Sequence, residues 1–197
     1  MENGLYKINE YGVSNQTILH IKQYILQSIK ELTETGRQQF SLFGTSLGAL
    51  VGLLVADTSP QVDKVIFNIP GMDLAESIWK WNGVLSEFRS EIVQKYHTCD
   101  ALRKRVSPIN AINHFDKLQG KDLLFYLSAR DKIALSNSSK LKSTLESHNY
   151  RFEIVVNKYF GHVITGFINL FNAPLYLNFL SQSAQNQTSI RTNTILG

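Results

Sequence analysis

The sequence predicts an α/β protein, a three-layer sandwich in which a mostly parallel sheet of about four strands is covered by helices on both faces. Two observations lead to this fold class. Short apolar segments alternate along the chain with longer segments that have helical periodicity. The short segments are apolar on both sides, which is typical of strands buried between two helical layers. The predicted strands are 39–43, 65–69, 123–127 and 152–156.

The predicted helices lie before and between these strands. Ile18, Ile21 and Ile25 recur at spacings of three and four, which indicates an amphipathic helix that ends before Gly36. The apolar stretch 49–56 predicts a buried helix after the first strand. Further helices are expected at 73–97, at 139–148 and at 163–181, the last with a kink at Pro174.

Length and composition are those of one globular domain. The chain has 197 residues, of which 43% are hydrophobic and 18% are charged. A chain of this size buries enough apolar surface for a sizeable core. We therefore expect a single domain over residues 1–181. The polar tail, 182–197, is expected to be disordered because its composition offers little apolar surface to bury.

Charge and cysteine content argue against several function classes. The net charge is +4, and the dense basic run 103–105 lacks the aromatic interleaving of a nucleic-acid site, so no nucleic-acid partner is expected. Cys99 is the only cysteine, which excludes an internal disulfide and a cysteine-based metal cluster. No metal-ligand spacing and no phosphate loop is found, so neither metal nor cofactor is expected. Without a signal-peptide pattern or a membrane span, we expect a cytoplasmic protein.

One short motif carries chemistry. Gly44-Thr45-Ser46-Leu47-Gly48 matches the G-x-S-x-G nucleophile elbow, in which a strand turns sharply into a helix and presents a serine hydroxyl. A predicted strand precedes it and a predicted helix follows it, as the motif requires. We expect both Gly44 and Gly48 to be needed, because a Cβ at either would come too close to neighbouring elements. The alternative is a turn serine without chemistry.

A serine nucleophile needs a base within hydrogen-bond reach and an acid that orients the base. Asp131 follows the third predicted strand and His162 the fourth. With Ser46, they lie at the carboxyl ends of parallel strands, where functional residues collect. Asp73, just after the second strand, is the alternative acid, although we expect it rather to cap the next helix. The alternatives for Asp131 and His162 are an ordinary turn aspartate and a loop histidine.

The elbow and the order Ser46, Asp131, His162 resemble the α/β-hydrolase superfamily over nearly the whole chain. The sequence looks most like the esterase, dienelactone-hydrolase-like and peptidase-like branches. The resemblance implies the α/β-hydrolase fold with a helical cap insertion at about 72–107. It also implies that a serine hydrolase cleaves an ester or amide without a cofactor, and that the Leu47 N–H stabilises the oxyanion.

The resemblance is incomplete before the elbow. Members of the family normally have several strands ahead of the nucleophile strand, and a loop among them supplies half of the oxyanion hole. Only 45 residues precede Ser46, which leaves room for one helix and the nucleophile strand. The chain thus resembles the C-terminal half of a hydrolase. The alternative function is a non-catalytic remnant or interaction module, which pairs as a homodimer or with a complementing chain through the exposed nucleophile-strand edge.

Overall fold

Strands and helices alternate in the computed structural model, which describes residues 15–80, 86–131, 141–148, 150–181 and 189–191. The strands are β1 (Phe40–Thr45), β2 (Val62–Asn68), β3 (Asp122–Ser128), β4 (Arg151–Asn157) and β5 (Ser189–Arg191). The helices are α1 (Asn15–Glu34), α2 (Leu47–Thr58), α3 (Leu74–Lys80), α4 (Ser86–Tyr96), α5 (Cys99–Val106), α6 (141–147), α7 (His162–Leu170) and α8 (Ala173–Ser181). Short 3-10 turns lie at Ser107–Ile109, Ala111–Asn113 and Phe115–Leu118.

The described strands form one parallel sheet in the order β1-β2-β3-β4-β5. The four strands expected from the sequence are confirmed, each within a few residues of its predicted bounds. The register places Thr45 of β1, Asn68 of β2 and Tyr126 of β3 side by side. Because the strands are parallel and in register, the loops that follow them all begin at the same end of the sheet.

The fifth strand corrects the prediction for the C-terminal tail, which we expected to be disordered. Residues 189–191 form β5 and pair with β4, with Ile190 opposite Ile154. Without β5, the outer side of β4 would present main-chain N–H and C=O groups with no partner, and the tail supplies those partners. The other residues of 182–197 lie outside the described residues.

Helices pack on both faces of the sheet, which confirms the three-layer architecture. On one face, Phe67 and Phe125 stack with ring centroids 4.7 Å apart and belong to the core that includes α1 and α2. On the other face, Ile66 and Leu124 pack with Phe179 of α8. Neighbouring residues of one strand thus enter different layers, as the predicted two-sided burial requires.

Helix α2 is the central helix of the larger core, because it is apolar all round. Residues 49–56 are buried without exception, as predicted. The helix packs against β1 and β2 on one side and against α1 on the other. Because α2 starts directly after β1, this burial also fixes the position of the turn between them.

The expected cap region is helical. One helix was predicted over 73–97, but the structure has α3 and α4 there, separated by 81–85, which lie outside the described residues. Helix α5 follows, and Thr98 caps it by accepting a hydrogen bond from the Ala101 N–H at 3.1 Å. The region connects β2 to β3, where the resemblance placed the insertion.

The predicted long helix at 163–181 is divided into α7 and α8, which are bent by 66°. Pro174 lies in the first turn of α8, where a missing N–H is tolerated, so the bend precedes it. Among the described residues, no single helix is long and apolar enough to cross a membrane. The α7–α8 pair reaches that length and composition only together, across this bend.

Candidate active site

Ser46 lies in the sharp turn between β1 and α2. Its φ is 52° and its ψ is −112°, and a positive φ is uncommon for a residue other than glycine. Backbone strain of this kind costs about 1–3 kcal/mol and persists only where the surroundings enforce it. Here the Ser46 N–H donates to the Asn68 carbonyl at 2.9 Å, and the Ser46 carbonyl accepts from the Ala49 N–H at 3.1 Å.

The two glycines of the motif have different roles. A Cβ on Gly44 would lie 2.3 Å from the Gly48 carbonyl oxygen and 2.6 Å from the Ala49 Cα, so any side chain would push α2 away from β1. A Cβ on Gly48 would meet no described heavy atom within 4 Å. The expectation that both glycines are sterically required is therefore wrong for Gly48. A side chain on Gly48 would point into open space, whereas one on Gly44 would point at the first turn of α2.

The structure brings Ser46, Asp131 and His162 together. Ser46 Oγ lies 3.3 Å from His162 Nε2, and His162 Nδ1 is hydrogen-bonded to Asp131 Oδ2. The Asp131 side chain is 3% exposed and that of His162 is 18% exposed, so the carboxylate is buried behind an imidazole that solvent can reach. A carboxylate can only accept, so Nδ1 carries the proton and Nε2 is left as the acceptor facing the hydroxyl.

Hydrogen bonds hold the loop that leads to His162. Asn157 Oδ1 accepts the main-chain N–H of Phe160 at 3.2 Å. The Phe160 carbonyl accepts the hydroxyl of Ser128 and, at 3.0 Å, that of Thr165. The ends of β3 and β4 and the first turn of α7 thus fix the backbone on which His162 is mounted.

The loop that carries Asp131 is tied to the same region. The Asp131 N–H donates to the Ser128 carbonyl at 3.2 Å, which closes a turn after β3. The Ala129 N–H donates to the Asn157 carbonyl at 2.7 Å, which extends the pairing of β3 with β4 into the turn. Asp131 and His162 are therefore held by adjacent strands with connected ends.

Helix α7 has a polar buried face and an apolar exposed face. Thr165, Gly166 and Asn169 are buried, and they lie on the same side of the helix as His162. The opposite side exposes large apolar side chains, namely Val163, Ile164, Phe167, Leu170 and Phe171. The helix thus directs His162 toward the sheet while presenting an apolar surface outward.

Asp73, the alternative acid, lies at a different place. Its Oδ1 accepts the Glu76 N–H and Asn110 Nδ2, both at 3.2 Å, and its Oδ2 accepts Arg103 Nε at 3.1 Å. These bonds cap α3 and join it to α5, which is the role that we expected to be the stronger one. Asp131 is the carboxylate paired with His162.

Sequence reasoning did not single out the buried asparagines around the site. Asn68 ends β2 and Asn169 lies on α7, and the two side chains are hydrogen-bonded to each other. The signal for Asn68 is an amide directly after the apolar residues 65–67. Asparagine is also common in turns that follow strands, so the sequence alone does not separate the two cases.

A groove of about 220 Å³ lies elsewhere on the molecule. Leu26 and Thr33 of α1 line it, together with residues 59–61 just before β2. Because β2 begins here and ends beside the elbow, the groove and Ser46 are at opposite ends of the sheet. This groove is not part of the candidate site.

The chain is similar in fold to several solved structures. It matches the acylaminoacyl peptidase of Pyrococcus horikoshii with a TM-score of 0.67 and 15% identity, over 88% of this chain and 29% of that one. It matches an esterase of Pyrococcus furiosus with a TM-score of 0.58 and 18% identity, over 85% and 62% of the respective chains. The α/β hydrolase GrgF of a Penicillium species gives a TM-score of 0.58 and 13% identity, over 83% and 71%.

No protein-family model matches the chain, and no curated protein does. The chain spans less than a third of the length of the peptidase and 62% of that of the esterase. At such low identity the similarity concerns the architecture. The expected fold is confirmed by it, and the chain has the fold of the α/β-hydrolases.

Proposed function

We propose that the chain is a serine hydrolase that cleaves an ester or an amide through Ser46, with His162 as base and Asp131 as orienting acid. The contact of Ser46 Oγ with His162 Nε2 at 3.3 Å carries the proposal. The two residues are 116 positions apart in sequence, and a strained backbone presents the hydroxyl. The names of two structures with similar folds, a peptidase and an esterase, support the same reaction class.

The proposed reaction passes through an acyl-enzyme. Ser46 Oγ attacks the substrate carbonyl carbon and gives its proton to His162 Nε2, which forms a tetrahedral oxyanion. His162 then gives that proton to the leaving alcohol or amine, and the acyl group remains on Ser46. Water then gives a proton to the same Nε2 and attacks the acyl carbon. The bond from this carbon to Ser46 Oγ breaks, Oγ takes the proton back from Nε2, and the acid is released. Asp131 keeps a proton on Nδ1 and stabilises the imidazolium in both steps.

Leu47 is the proposed oxyanion donor. It is the first residue of α2, so its N–H has no acceptor within the helix. The N-terminus of a helix carries partial positive charge, which favours an anion at this point. In a well-studied enzyme, the loss of one oxyanion donor lowers the rate by about 10²–10³. We therefore expect measurable but slow turnover where Leu47 acts without a second donor.

Hydrolysis of p-nitrophenyl acetate and butyrate tests this function. Ser46→Ala should lose all enzyme-dependent hydrolysis, because loss of a serine nucleophile lowers kcat by about 10⁶ in a comparable system. Ser41→Ala is the matched control, since Ser41 is an exposed serine in β1, the strand that leads to Ser46, and it should keep wild-type activity. Equal activity of Ser46→Ala and the wild type would contradict the proposal.

A second candidate function rests on the edge of the sheet. Within the described part of the chain, β1 is the terminal strand and pairs with β2 alone. Phe43 in this strand is 44% exposed, and an exposed apolar edge strand favours pairing with another chain. We propose that a second copy of this chain pairs through β1, which would make the protein a homodimeric interaction module.

Sedimentation velocity tests the pairing. Phe43→Lys places a charge on the edge strand, and Leu32→Lys places the same charge on an exposed apolar position of α1. We expect a dimer for the wild type and for Leu32→Lys, and a monomer for Phe43→Lys. A monomeric wild type, or a stable complex with a different chain only, would contradict self-pairing.

A further inference from the structure

We infer that Asn68 is a positioning residue that holds the elbow serine and the helix of the base in a fixed relation. The inference rests on the proposed roles of Ser46 and His162. Asn68 is the last residue of β2 and is fully buried. It lies between β1, which leads into the elbow, and β3, which leads into the acid loop.

On one side, Asn68 holds the elbow. Its main-chain carbonyl accepts the N–H of Ser46 at 2.9 Å. Its side-chain Nδ2 donates to Thr45 Oγ1 at 3.2 Å. The nucleophile and the residue before it are therefore both bonded to Asn68.

On the other side, the same side chain holds α7. Asn68 Nδ2 donates its second hydrogen to the Gly166 carbonyl at 2.9 Å, and Asn68 Oδ1 accepts from Asn169 Nδ2 at 2.9 Å. Gly166 and Asn169 lie about one turn apart, and His162 lies one turn before Gly166. Two bonds on successive turns fix the rotation of α7 about its axis and its position along that axis, and α7 carries the proposed base, His162.

The chemistry of the amide explains why this residue is asparagine. Both hydrogens of Nδ2 are donated and Oδ1 accepts, so a fully buried polar group has partners on both atoms. Aspartate could still accept from Asn169, but it would lose both donors and bury a charge, and leucine would lose every side-chain bond. Either change leaves the Gly166 carbonyl on α7 without the hydrogen bond from residue 68, at a free-energy cost.

The packing around Asn68 supports the same role. A Cβ on Gly166 would lie 2.3 Å from Ile69 Cδ1, so the glycine lets α7 lie directly on the end of β2. Ile69 itself has a φ of 45°, and its N–H donates to the Tyr126 carbonyl at 2.7 Å. From α8, the Tyr176 hydroxyl donates to the Asn169 carbonyl. Burial raises the pKa of Tyr176, which keeps this donor protonated.

Asn110 offers a matched control, because it is also a fully buried asparagine with both side-chain atoms bonded. Its Oδ1 accepts the Leu74 N–H at 2.9 Å and its Nδ2 donates to Asp73 at 3.2 Å. These bonds hold the start of α3 and do not involve the elbow or α7. A substitution there removes the same kind of group without touching the relation between Ser46 and His162.

The first test measures how fast a fluorophosphonate reacts with Ser46, at a temperature at which circular dichroism shows each variant folded. Asn68→Ala and Asn169→Ala should react about 10- to 100-fold more slowly than the wild type, since a displacement of 1 Å has an effect of this size. Asn110→Ala should react at the wild-type rate. Unchanged reaction in Asn68→Ala and Asn169→Ala, or equal slowing in all three variants, would overturn the inference.

A second readout does not need activity. In the NMR spectrum of protein with ¹⁵N-labelled histidine, the ring signal that is present in the wild type and missing in His162→Gln belongs to His162. We expect the Nδ1-protonated pattern in the wild type and Asn110→Ala, and its loss or broadening in Asn68→Ala and Asn169→Ala. If the wild type does not react with the fluorophosphonate, the proposed function fails. The His162 signal then still decides the positioning role, and an unchanged signal in both variants would refute it.

Discussion

Two Asp–His pairs in the described part of the molecule have closely similar first contacts. His162 Nδ1 is bonded to Asp131 Oδ2, and His114 Nδ1 lies 2.7 Å from Asp57 Oδ2. The carboxylates are 3% and 5% exposed, and the imidazoles 18% and 14%. Neither burial nor the partner of Nδ1 therefore separates a candidate catalytic pair from a structural one.

The two pairs differ at the second ring nitrogen. His114 Nε2 lies 3.1 Å from the Pro108 carbonyl, which can only accept, so this nitrogen is a donor. His162 Nε2 lies 3.3 Å from the Ser46 hydroxyl, which can donate its hydrogen. His114 thus has oxygen acceptors opposite both ring nitrogens, whereas His162 has a carboxylate opposite one nitrogen and a hydroxyl opposite the other. The group that faces Nε2 therefore decides whether such a pair can act as a base.

The two Asp–His pairs also lie at opposite ends of the parallel strands. Helix α2 starts beside Ser46 and runs back along the sheet. Asp57, in the last turn of α2, therefore lies near the end of the sheet where the parallel strands begin. There, the pair with His114 ties α2 to the segment before β3. The pair of Asp131 and His162 lies at the carboxyl edge, where the loops after parallel strands converge.

The largest expected difference is between the two histidines. His162→Ala should lower kcat for ester hydrolysis by a factor of about 10⁶, because the proposed base is removed. His114→Ala should keep its activity and lose about 1–3 kcal/mol of unfolding free energy, because buried Asp57 loses its hydrogen bond to His114 and retains the longer contact with Lys117, at 3.4 Å. Initial rates and urea denaturation of both variants measure the two effects. Equal loss of activity would remove the distinction between the pairs.

A smaller effect is expected at the carboxylates. Asp131→Asn should lower kcat by about 10⁴, the size seen when an amide replaces a triad carboxylate and favours the wrong imidazole tautomer. Asp57→Asn should leave kcat unchanged and lower the urea midpoint. Steady-state kinetics on both variants make the comparison. A wild-type kcat for Asp131→Asn would show that the acid has no part in the reaction.

The smallest effects are expected at the two glycines of the elbow that presents Ser46. Gly44→Ala should destabilise the fold by about 1–3 kcal/mol or more, because its Cβ would meet main-chain atoms of α2. Gly48→Ala should be neutral or stabilise by up to about 1 kcal/mol, because the position is helical and open. Urea denaturation distinguishes them. Similar midpoints for the two variants would contradict the steric role of Gly44.

The residues of the candidate triad could be predicted because each has a local signature. Ser46 lies between spaced glycines, and Asp131 and His162 each follow an apolar segment of strand length. Their convergence then needs only parallel strands whose carboxyl ends share an edge, which alternating strands and helices favour.

Other features could not be predicted because they depend on contacts between distant segments. The bond between Asn68 and Asn169 joins residues 101 positions apart, and neither has a distinctive sequence context. The requirement for Gly44 but not Gly48 depends on how closely α2 approaches β1. The pairing of β5 with β4 depends on an open strand edge, which the polar composition of the tail does not reveal.

Mapping the adduct that forms when the folded chain is exposed to a fluorophosphonate tests directly whether Ser46 is an activated nucleophile. Peptide mass spectrometry locates the modified residue in the wild type, His162→Ala and His114→Ala. We expect an adduct on Ser46 in the wild type and in His114→Ala, and none in His162→Ala. A folded wild type without an adduct, or with its adduct on another residue, would contradict the claim that Ser46 is an activated nucleophile.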